Sequence, residues 1–355
     1  MITFVKRGIL TTIQDAGRKG FQRFGMPAAG AMDQFAMKLA NVLVGNAPDT
    51  EVVEATIIGP SILFDEAEAF AVCGGDLEPC LDGQPIENNR AYIAKAGSLL
   101  ELPMAKSGAR AYIAFSGGLD AELKMGSRST YMKAGIGGVQ GRPVKDGDTL
   151  GLRAQKVELP HLPGRYVPAG FGVAYSSHPT VRVTLGPQDD LFSDKGKTDF
   201  CAGDYTLTQE NDRMGFRFSG PDIESIPESD GNIISDGICF GAVQVTKGQP
   251  IVMMADRQTT GGYCKLGCVT SADLPLLAQL KTGDACRFRF VGVEEAQALY
   301  LAQLQLLDDL AKHLDTPAIA GAFATAHAAP RKTSLREFRV TVGVEVFDIQ
   351  LEELD

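Results

Sequence analysis

The sequence predicts a mainly β protein with a few helices, arranged as two β units in series. Three observations carry this. Gly 40 and Pro 18, with no Trp, supply turn residues throughout the chain, and many turns mean short strands. Short apolar runs recur at regular spacing, the pattern of a barrel or a sandwich. Lys281-Thr282-Gly283-Asp284 before Cys286–Phe290 echoes Lys95-Ala96-Gly97-Ser98 before Leu99–Leu102, which points to two related halves.

Residues 1–24 read as polar and turn-rich. Asp33 is a good N-cap for a helix over 34–44, where Phe35, Leu39 and Leu43 lie four apart on one face. Gly45 and Asn46 stop that helix. Strands follow at Ser61–Phe64, Phe70–Cys73, Ala91–Ile93 and Ala111–Phe115, with turns at Asp82-Gly83 and Ala96-Gly97. Pro160, Pro163, Pro168 and Pro179 mark a linker, and Val181–Leu185 resumes strand alternation. Ser271 caps a short helix to Leu280, with Pro275 in its first turn. A longer helix runs from Glu294 to Leu314 on a Leu304, Leu307, Leu310, Leu314 stripe, which is packing. Residues 315–334 form an Ala-rich connector, and Phe338 to Leu351 reads as a final hairpin. The expected division is 1–155 as first β unit, 156–180 as linker, 181–295 as second β unit, and 296–355 as helix and hairpin tail.

The net charge of −10 and the lack of a basic stripe argue against nucleic acid and against an anionic membrane surface. No apolar run has the length of a membrane span, and the N-terminus has no signal-peptide core. Seven scattered Cys fit a reduced, cytoplasmic protein. His161, His178, His313 and His327 lie in no polar cluster, so neither His-centred catalysis nor a metal site is expected.

The richest chemistry lies in Asp256-Arg257-Gln258-Thr259-Thr260-Gly261-Gly262-Tyr263, after the apolar run Gln249–Ala255. An acid, a base, an amide, two hydroxyls and a phenol at the end of a buried strand must find partners in the protein or in a ligand. Gly261 and Gly262 let backbone N–H groups approach an oxyanion. The plainer reading is a strand end with a turn. Secondary candidates are Gly126-Ser127-Arg128-Ser129-Thr130, where Ser127 and Arg128 suit a carboxylate or phosphate, and Gly74-Gly75-Asp76, where the choice is a ligand or a bulge. Asn211-Asp212-Arg213-Met214-Gly215 is a further candidate, where the choice is a functional pair or a structural turn, the turn being the commoner use of Asp-Arg beside Gly. Gly196-Lys197-Thr198 fails as a P-loop because Leu191 stands where a Gly is required. Ala36-Met37-Lys38-Leu39 looks like a biotin-carrier motif but falls in a helical pattern. Cys264 and Cys268 are too few for a metal; they read as small hydrophobes, with a reactive thiol as the alternative.

Taken together, several segments resemble one family. They are Thr12–Asp15 with Gly17-Arg18, Gly30–Asp33, Ala40–Asn46, Glu54, Gly59-Pro60, Ser116–Gly118 and Gly126–Thr130. They continue with Gly186–Gln188, Asp212–Gly215, Gly241–Val245 and Asp256–Tyr263, covering about residues 5–295 in order. The chain looks like the family of biotin-dependent carboxyltransferases, 5-oxoprolinase C subunits and KipI antagonists (allophanate hydrolase subunit 2-like). The resemblance implies two cyclophilin-like β-barrel subdomains and a KipI-like B component as partner, with a LamB/YcsF-type protein as a third subunit.

It also implies ATP-dependent opening of 5-oxoproline to glutamate, with ATP used by the complex. The alternatives are carboxyl transfer from carboxybiotin to urea or a related amide, with biotin as cofactor, and a non-catalytic antagonist of a KipI-like kinase inhibitor. For a small amide substrate, Asp256 would position or deprotonate the amide nitrogen, or orient a water, and Gln258 would hydrogen-bond the amide. Thr259, Thr260 and the Gly261 and Gly262 amides would hold developing negative charge, with Tyr263 beside them. Ser127 and Arg128 would clamp a carboxylate, and Gly74 and Gly75 would line the substrate. The tail, 337–354, is similar to the opening hairpin of a biotin carrier, and no biotinyl-lysine motif follows it.

Overall fold

The computed structural model describes residues 1–153, 162–168 and 170–314, together with the backbone pairing of two strands at 334–342 and 345–353. His161, His327, part of the expected linker and nearly all of the expected connector lie outside the described residues.

The first β unit contains β1 (Ile2–Lys6), β2 (Leu10–Gln14), β3 (Val52–Thr56), β4 (Ser61–Phe64), β5 (Glu68–Asp76), β6 (Cys80–Leu81) and β7 (Gln84–Pro85). It is completed by β8 (Arg90–Ala94), β9 (Leu99–Glu101), β10 (Ser107–Phe115) and β11 (Thr149–Leu150). These form a six-stranded sheet in the order β11-β1-β4-β9-β6-β7 and a five-stranded sheet in the order β2-β3-β10-β5-β8. Ile2, Phe4, Ile62 and Phe64 from the first sheet meet Val53, Phe70, Ile113 and Phe115 from the second in one core. The turn-rich reading of residues 1–24 missed β1 and β2. Thr11, Thr12 and Gln14 are buried, so the period-2 pattern is hidden behind polar side chains.

Helix α1 (Gln34–Leu43) lies on this unit. Asp33 caps it as expected, its carboxylate accepting from Ala36 N at 2.9 Å, a bond worth about 1 kcal/mol. Phe35, Leu39 and Val42 pack with Ala71 and Tyr112 of the sheet and with Leu307 and Leu310 of the last helix. Each large side chain so buried contributes roughly 1.5–3 kcal/mol. Asn41 Nδ2 donates to Thr50 O, and Asn46 Nδ2 to Phe115 O, tying the helix end to the Ser116–Gly118 turn.

The second unit is a closed seven-stranded barrel. Its strands are β12 (Thr180–Leu185), β13 (Asp204–Asn211), β14 (Gly215–Ser219), β16 (Ala242–Thr246), β17 (Gln249–Met253), β19 (Lys265–Val269) and β20 (Ala285–Phe290), while β15 (Asn232–Gly237) and β18 (Thr260–Tyr263) form a separate pair. The parallel pairing of β12 with β20 closes the ring. Alternation in β20 places Cys286 and Phe288 inside and Arg287 and Arg289 outside. Helix α2 (Asp194–Ala202) caps one end, with Phe200 stacked on Phe288 at 4.6 Å. Helix α3 spans Leu274–Ala278, shorter than the expected 271–280, with Asp273 rather than Ser271 at its N-cap position. Helix α4 (Val293–Leu314) follows the expected stripe and returns to pack on α1. Strands β21 (Ser334–Val342) and β22 (Glu345–Glu353) pair antiparallel, with Phe338 opposite Ile349, as the final hairpin predicted. Among the described residues no helix is long and apolar enough to cross a membrane.

Two clusters of buried hydrogen bonds join the units. In the first, Gln279, just past α3, is buried and accepts at Oε1 from the backbone N–H of Ala109 and Arg110, both at 2.9 Å. Its Nε2 donates to Asp33 Oδ2 at 2.9 Å and to Arg110 O at 3.0 Å. The second centres on Arg213.

Candidate functional site

Strand β17 ends at Met253, and the chain crosses to β18 through Met254–Thr259. Met254 N donates to Met214 O, and Asp256 N to Arg213 O at 2.7 Å, so the crossing lies against the β13–β14 turn. Asp256 is buried, and both its oxygens accept from Arg213, Nε to Oδ2 at 3.1 Å and Nη2 to Oδ1 at 2.9 Å. Arg213 Nη1 also donates to Glu54 of β3, and Nη2 to Gly30 O at 2.6 Å. Glu54 in turn accepts from Met32 N at 2.9 Å. One guanidinium thus holds two carboxylates from the two β units. Burial alone would lower its pKa, but the charges of Asp256 and Glu54 outweigh that and hold it protonated above its ordinary value. The Asp212–Arg213 turn expected from sequence is present, with Asp212 accepting from Met214 N at 2.7 Å, and Arg213 is also the pivot of the seam.

Beside this turn lies a cavity of ≈ 460 Å³ formed by β13, β14, β16, β17, the crossing at Gln258 and the end of β18. Asp212, Arg217, Gln244, Gln258 and Tyr263 line it. Two of these carry buried polar atoms with no hydrogen-bond partner among the described residues, namely Gln244 Nε2 and Gln258 Oε1. One is a donor and the other an acceptor. Orphans of this kind are rare in folded proteins, because each costs about 1–3 kcal/mol when left unsatisfied. A C=O and an N–H are the groups complementary to this donor and this acceptor. Gly261 permits the arrangement, since a Cβ there would lie 2.7 Å from Gln244 Nε2 and 2.5 Å from Ile238 Cδ1. Arg217 is the cation of the lining and pairs with Glu210 at 3.2 Å. Tyr263 is exposed at the edge.

The other sequence-derived candidates fall in different places. Thr260, Gly261, Gly262 and Tyr263 form β18, with Gly261 opposite Asp236 and Thr260 opposite Gly237. Thr259 O accepts from Ile238 N at 3.0 Å. Ser127 donates to Asp15 Oδ1 at 2.7 Å, and Arg128 N to Asp15 Oδ2 at 2.6 Å, so Asp15 gathers this loop. The Arg128 guanidinium donates to Ala121 O and lies 3.7 Å from Glu51. Gly74 and Gly75 bring the backbone close to Gln279 of the other unit, and a Cβ on Gly75 would meet Gln279 Oε1 at 2.9 Å. Gln258 and Tyr263 are therefore together at the cavity, Asp256 stands beside it, and Ser127, Arg128, Gly74 and Gly75 are elsewhere.

Sequence reasoning did not single out Gln244 or Arg217 for chemistry, and it weighed Arg213 only as part of a turn that could be functional. For Gln244 a signal exists, as a lone amide between Val243 and Val245 in a buried strand. Lys38 lies within α1 and pairs with Asp49, in accord with its helical reading. Gly196 lies within α2, its N–H given to Ser193 Oγ at 3.0 Å, and Lys197 pairs with Asp189 at 3.3 Å, so no phosphate cradle forms there. No group of three or more metal-binding side chains occurs among the described residues.

This two-unit β fold is that of a known class. The chain belongs to the carboxyltransferase domain family, subdomains A and B, which matches residues 24–290. Within it, the chain is similar to the C subunit of 5-oxoprolinase from Escherichia coli (strain K12), with 34% identity over 315 residues, 88% of this chain and 99% of that protein. The same holds for the 5-oxoprolinase C subunit of Haemophilus influenzae, at 34% over 310 residues, 86% of this chain and 96% of that one. Among solved structures, K. lactis urea amidolyase superimposes with a TM-score of 0.81 at 28% identity. That match covers 87% of this chain but only 20% of the amidolyase.

Proposed function

We propose that this chain is the C subunit of an ATP-dependent 5-oxoprolinase, opening 5-oxoproline to glutamate with a KipI-like partner and a LamB/YcsF-type third subunit. The observation that carries the reading is the unpartnered pair Gln244 Nε2 and Gln258 Oε1 in one cavity. A ring amide presents a carbonyl and an N–H side by side. Gln244 donates to the carbonyl, and the ring N–H donates to Gln258. Arg217 receives the substrate carboxylate.

Ring opening requires water to add at the carbonyl carbon and the C–N bond to break, with a proton delivered to nitrogen. A donor fixed on the carbonyl oxygen favours the negative charge that develops there. Asp256, with both oxygens on Arg213, acts as a positioning residue for the crossing that carries Gln258. Tyr263 shapes the edge of the site, with Thr259 and Thr260 in the segment that joins it to Gln258.

The Gly196-Lys197-Thr198 stretch does not fit ATP, and no step on this chain is routed through it; the nucleotide belongs to the complex. The likeness to urea amidolyase supports a second reading, transfer of a carboxyl group from carboxybiotin to urea. Urea also offers a C=O and N–H, but it has no carboxylate for Arg217. In the third reading the same cavity is a ligand pocket without chemistry, in an antagonist of a KipI-like protein.

The test is reconstitution with the partner subunits and measurement of ATP- and 5-oxoproline-dependent glutamate. Loss of turnover in Gln244→Leu and Gln258→Leu, with the complex still assembled, supports the assignment. Unchanged turnover in both variants removes the cavity from the reaction, and no turnover by the wild-type complex leaves the regulatory or carboxyl-transfer reading.

A further inference from the structure

Cys239 and Cys268 stand 29 residues apart in sequence, yet their sulfurs are 3.2 Å apart. Cys239 lies in the short turn between β15 and β16 and is exposed, while Cys268 lies on β19 and is half-buried. The backbone holds the two together, with Ala242 paired opposite Cys268, Ala242 N donating to Cys239 O at 3.2 Å and Val269 N to Gly241 O at 2.8 Å. Cys268 Sγ also lies 3.6 Å from Phe240 O.

Arg257 closes over this turn. Its Nε donates to Ile238 O at 3.2 Å, and its guanidinium sits 5.4 Å from the centroid of the Phe240 ring. The sulfur–sulfur contact with Cys268 is the main influence on Cys239. With the Arg257 and Lys265 charges it brings that thiol down to about 6 against the opposing effect of burial. The same contact, with burial, pushes Cys268 up. The pair therefore sets an exposed sulfur in contact with a half-buried one. The remaining cysteines have no such arrangement, and Cys73 and Cys286 are pushed up by burial.

We infer that Cys239 and Cys268 are a peroxide-reactive dithiol, with Cys239 the attacking and Cys268 the resolving sulfur, that closes reversibly to a disulfide. The Cys239 thiolate attacks one oxygen of a hydroperoxide. An S–O bond forms, the O–O bond breaks, and the leaving oxygen departs as water or alcohol after taking a proton. Cys268 sulfur then attacks Cys239 sulfur. The S–S bond forms, the S–O bond breaks, and the hydroxyl leaves as water with the Cys268 proton. The two sulfurs oxidise together by two electrons and the peroxide is reduced. Closure requires the sulfurs to approach by about 1.1 Å, to the usual bond length near 2.05 Å.

The crosslink would join the β15–β16 turn to β19. Ile238, the neighbour of Cys239, packs on Gly261 and accepts from both Arg257 and Gln22. Closure is therefore felt next to the candidate cavity, though the chemistry of the pair does not depend on that cavity's substrate.

The test uses the full chain, reduced, exchanged into thiol-free buffer and treated with equimolar hydrogen peroxide. The expected result is loss of two of the seven thiols, a linked peptide pair containing Cys239 and Cys268 on non-reducing digestion, and full return on adding dithiothreitol. Cys268→Ser should leave a sulfenic acid at Cys239 that dimedone traps, and Cys239→Ser should give no linked product. Circular dichroism checks that both variants fold. Peroxide consumption at other cysteines with Cys239 and Cys268 left as thiols would overturn the inference. So would Cys239 passing to sulfinic acid in the wild type with no linked pair.

Discussion

Arg213 and Asp256 form a two-bond pair at 3.1 and 2.9 Å, buried where the two β units meet, and the same guanidinium reaches Glu54. The pair gives a structural role to the acid that stands three residues past the end of the buried strand β17. Asp256 and Glu54 are both enclosed, and Arg213 is the cation hydrogen-bonded to each of them. Arg213→Met should therefore lower stability by about 3–5 kcal/mol, the cost of leaving a buried charge unpaired. Urea denaturation at pH 7 measures it. A loss below about 1 kcal/mol, within the range of an ordinary substitution, would show that the seam does not depend on this pair.

A related expectation concerns Gln279, which satisfies two backbone N–H groups of the first unit from the second. Gln279→Ala leaves the Ala109 and Arg110 amides without acceptors and should cost about 1–3 kcal/mol. Hydrogen exchange at those two amides should speed up while exchange in the barrel core does not. Unchanged protection there would contradict the role given to Gln279.

Arg217 separates the two enzymatic readings. Arg217→Ala should weaken 5-oxoproline binding by about 1.5 kcal/mol, the low end for a charged hydrogen bond because the side chain is partly solvated. Urea binding should not change. Equal losses for both ligands would mean that Arg217 supports the cavity rather than the carboxylate.

The acid limb of stability has a local contributor. Asp148 accepts from Arg142 Nη1 at 2.6 Å and Nη2 at 3.0 Å, and from Lys145 N at 2.7 Å. The Arg142 hydrogen bonds hold its carboxyl below the ordinary carboxylate value. A depressed folded pKa gives stability that is present above the unfolded value, about 3.9, and lost as pH falls through the folded value. Asp148→Asn should cost about 0.3–1 kcal/mol at pH 7 and converge on the wild type in strong acid. A deficit that persists unchanged at low pH would point to lost packing instead.

Much of the fold was legible because local signals agreed with it. Asp33 caps α1, Val181–Leu185 alternates in β12, and the leucine stripe of α4 is where its spacing put it. What was hidden depended on distant partners. Leu10–Gln14 is a strand whose Thr and Gln side chains are buried, with Gln14 bonded to Thr130 O across 116 residues. Thr260–Tyr263 has the composition of a loop and becomes a strand only by pairing with β15. Gln258 and Tyr263 could be named from the polar density of their octapeptide, but their cavity partner Gln244 lies on another strand. Arg128 looked like a clamp because a guanidinium beside two hydroxyls suits an anion. In the folded chain its side chain meets Ala121 and Glu51, contacts that residue spacing does not reveal.

The central claim is that the Gln244–Gln258 cavity takes a small cyclic amide acid. Its most direct test is a calorimetric titration of this chain assembled with its KipI-like partner, against 5-oxoproline and, separately, against free biotin. The account predicts saturable 5-oxoproline binding that weakens about ten- to a hundred-fold in Gln258→Leu, as expected for one lost buried hydrogen bond of about 1.4–2.8 kcal/mol. Biotin binding with no measurable 5-oxoproline binding, or undiminished 5-oxoproline binding in Gln258→Leu, would contradict it.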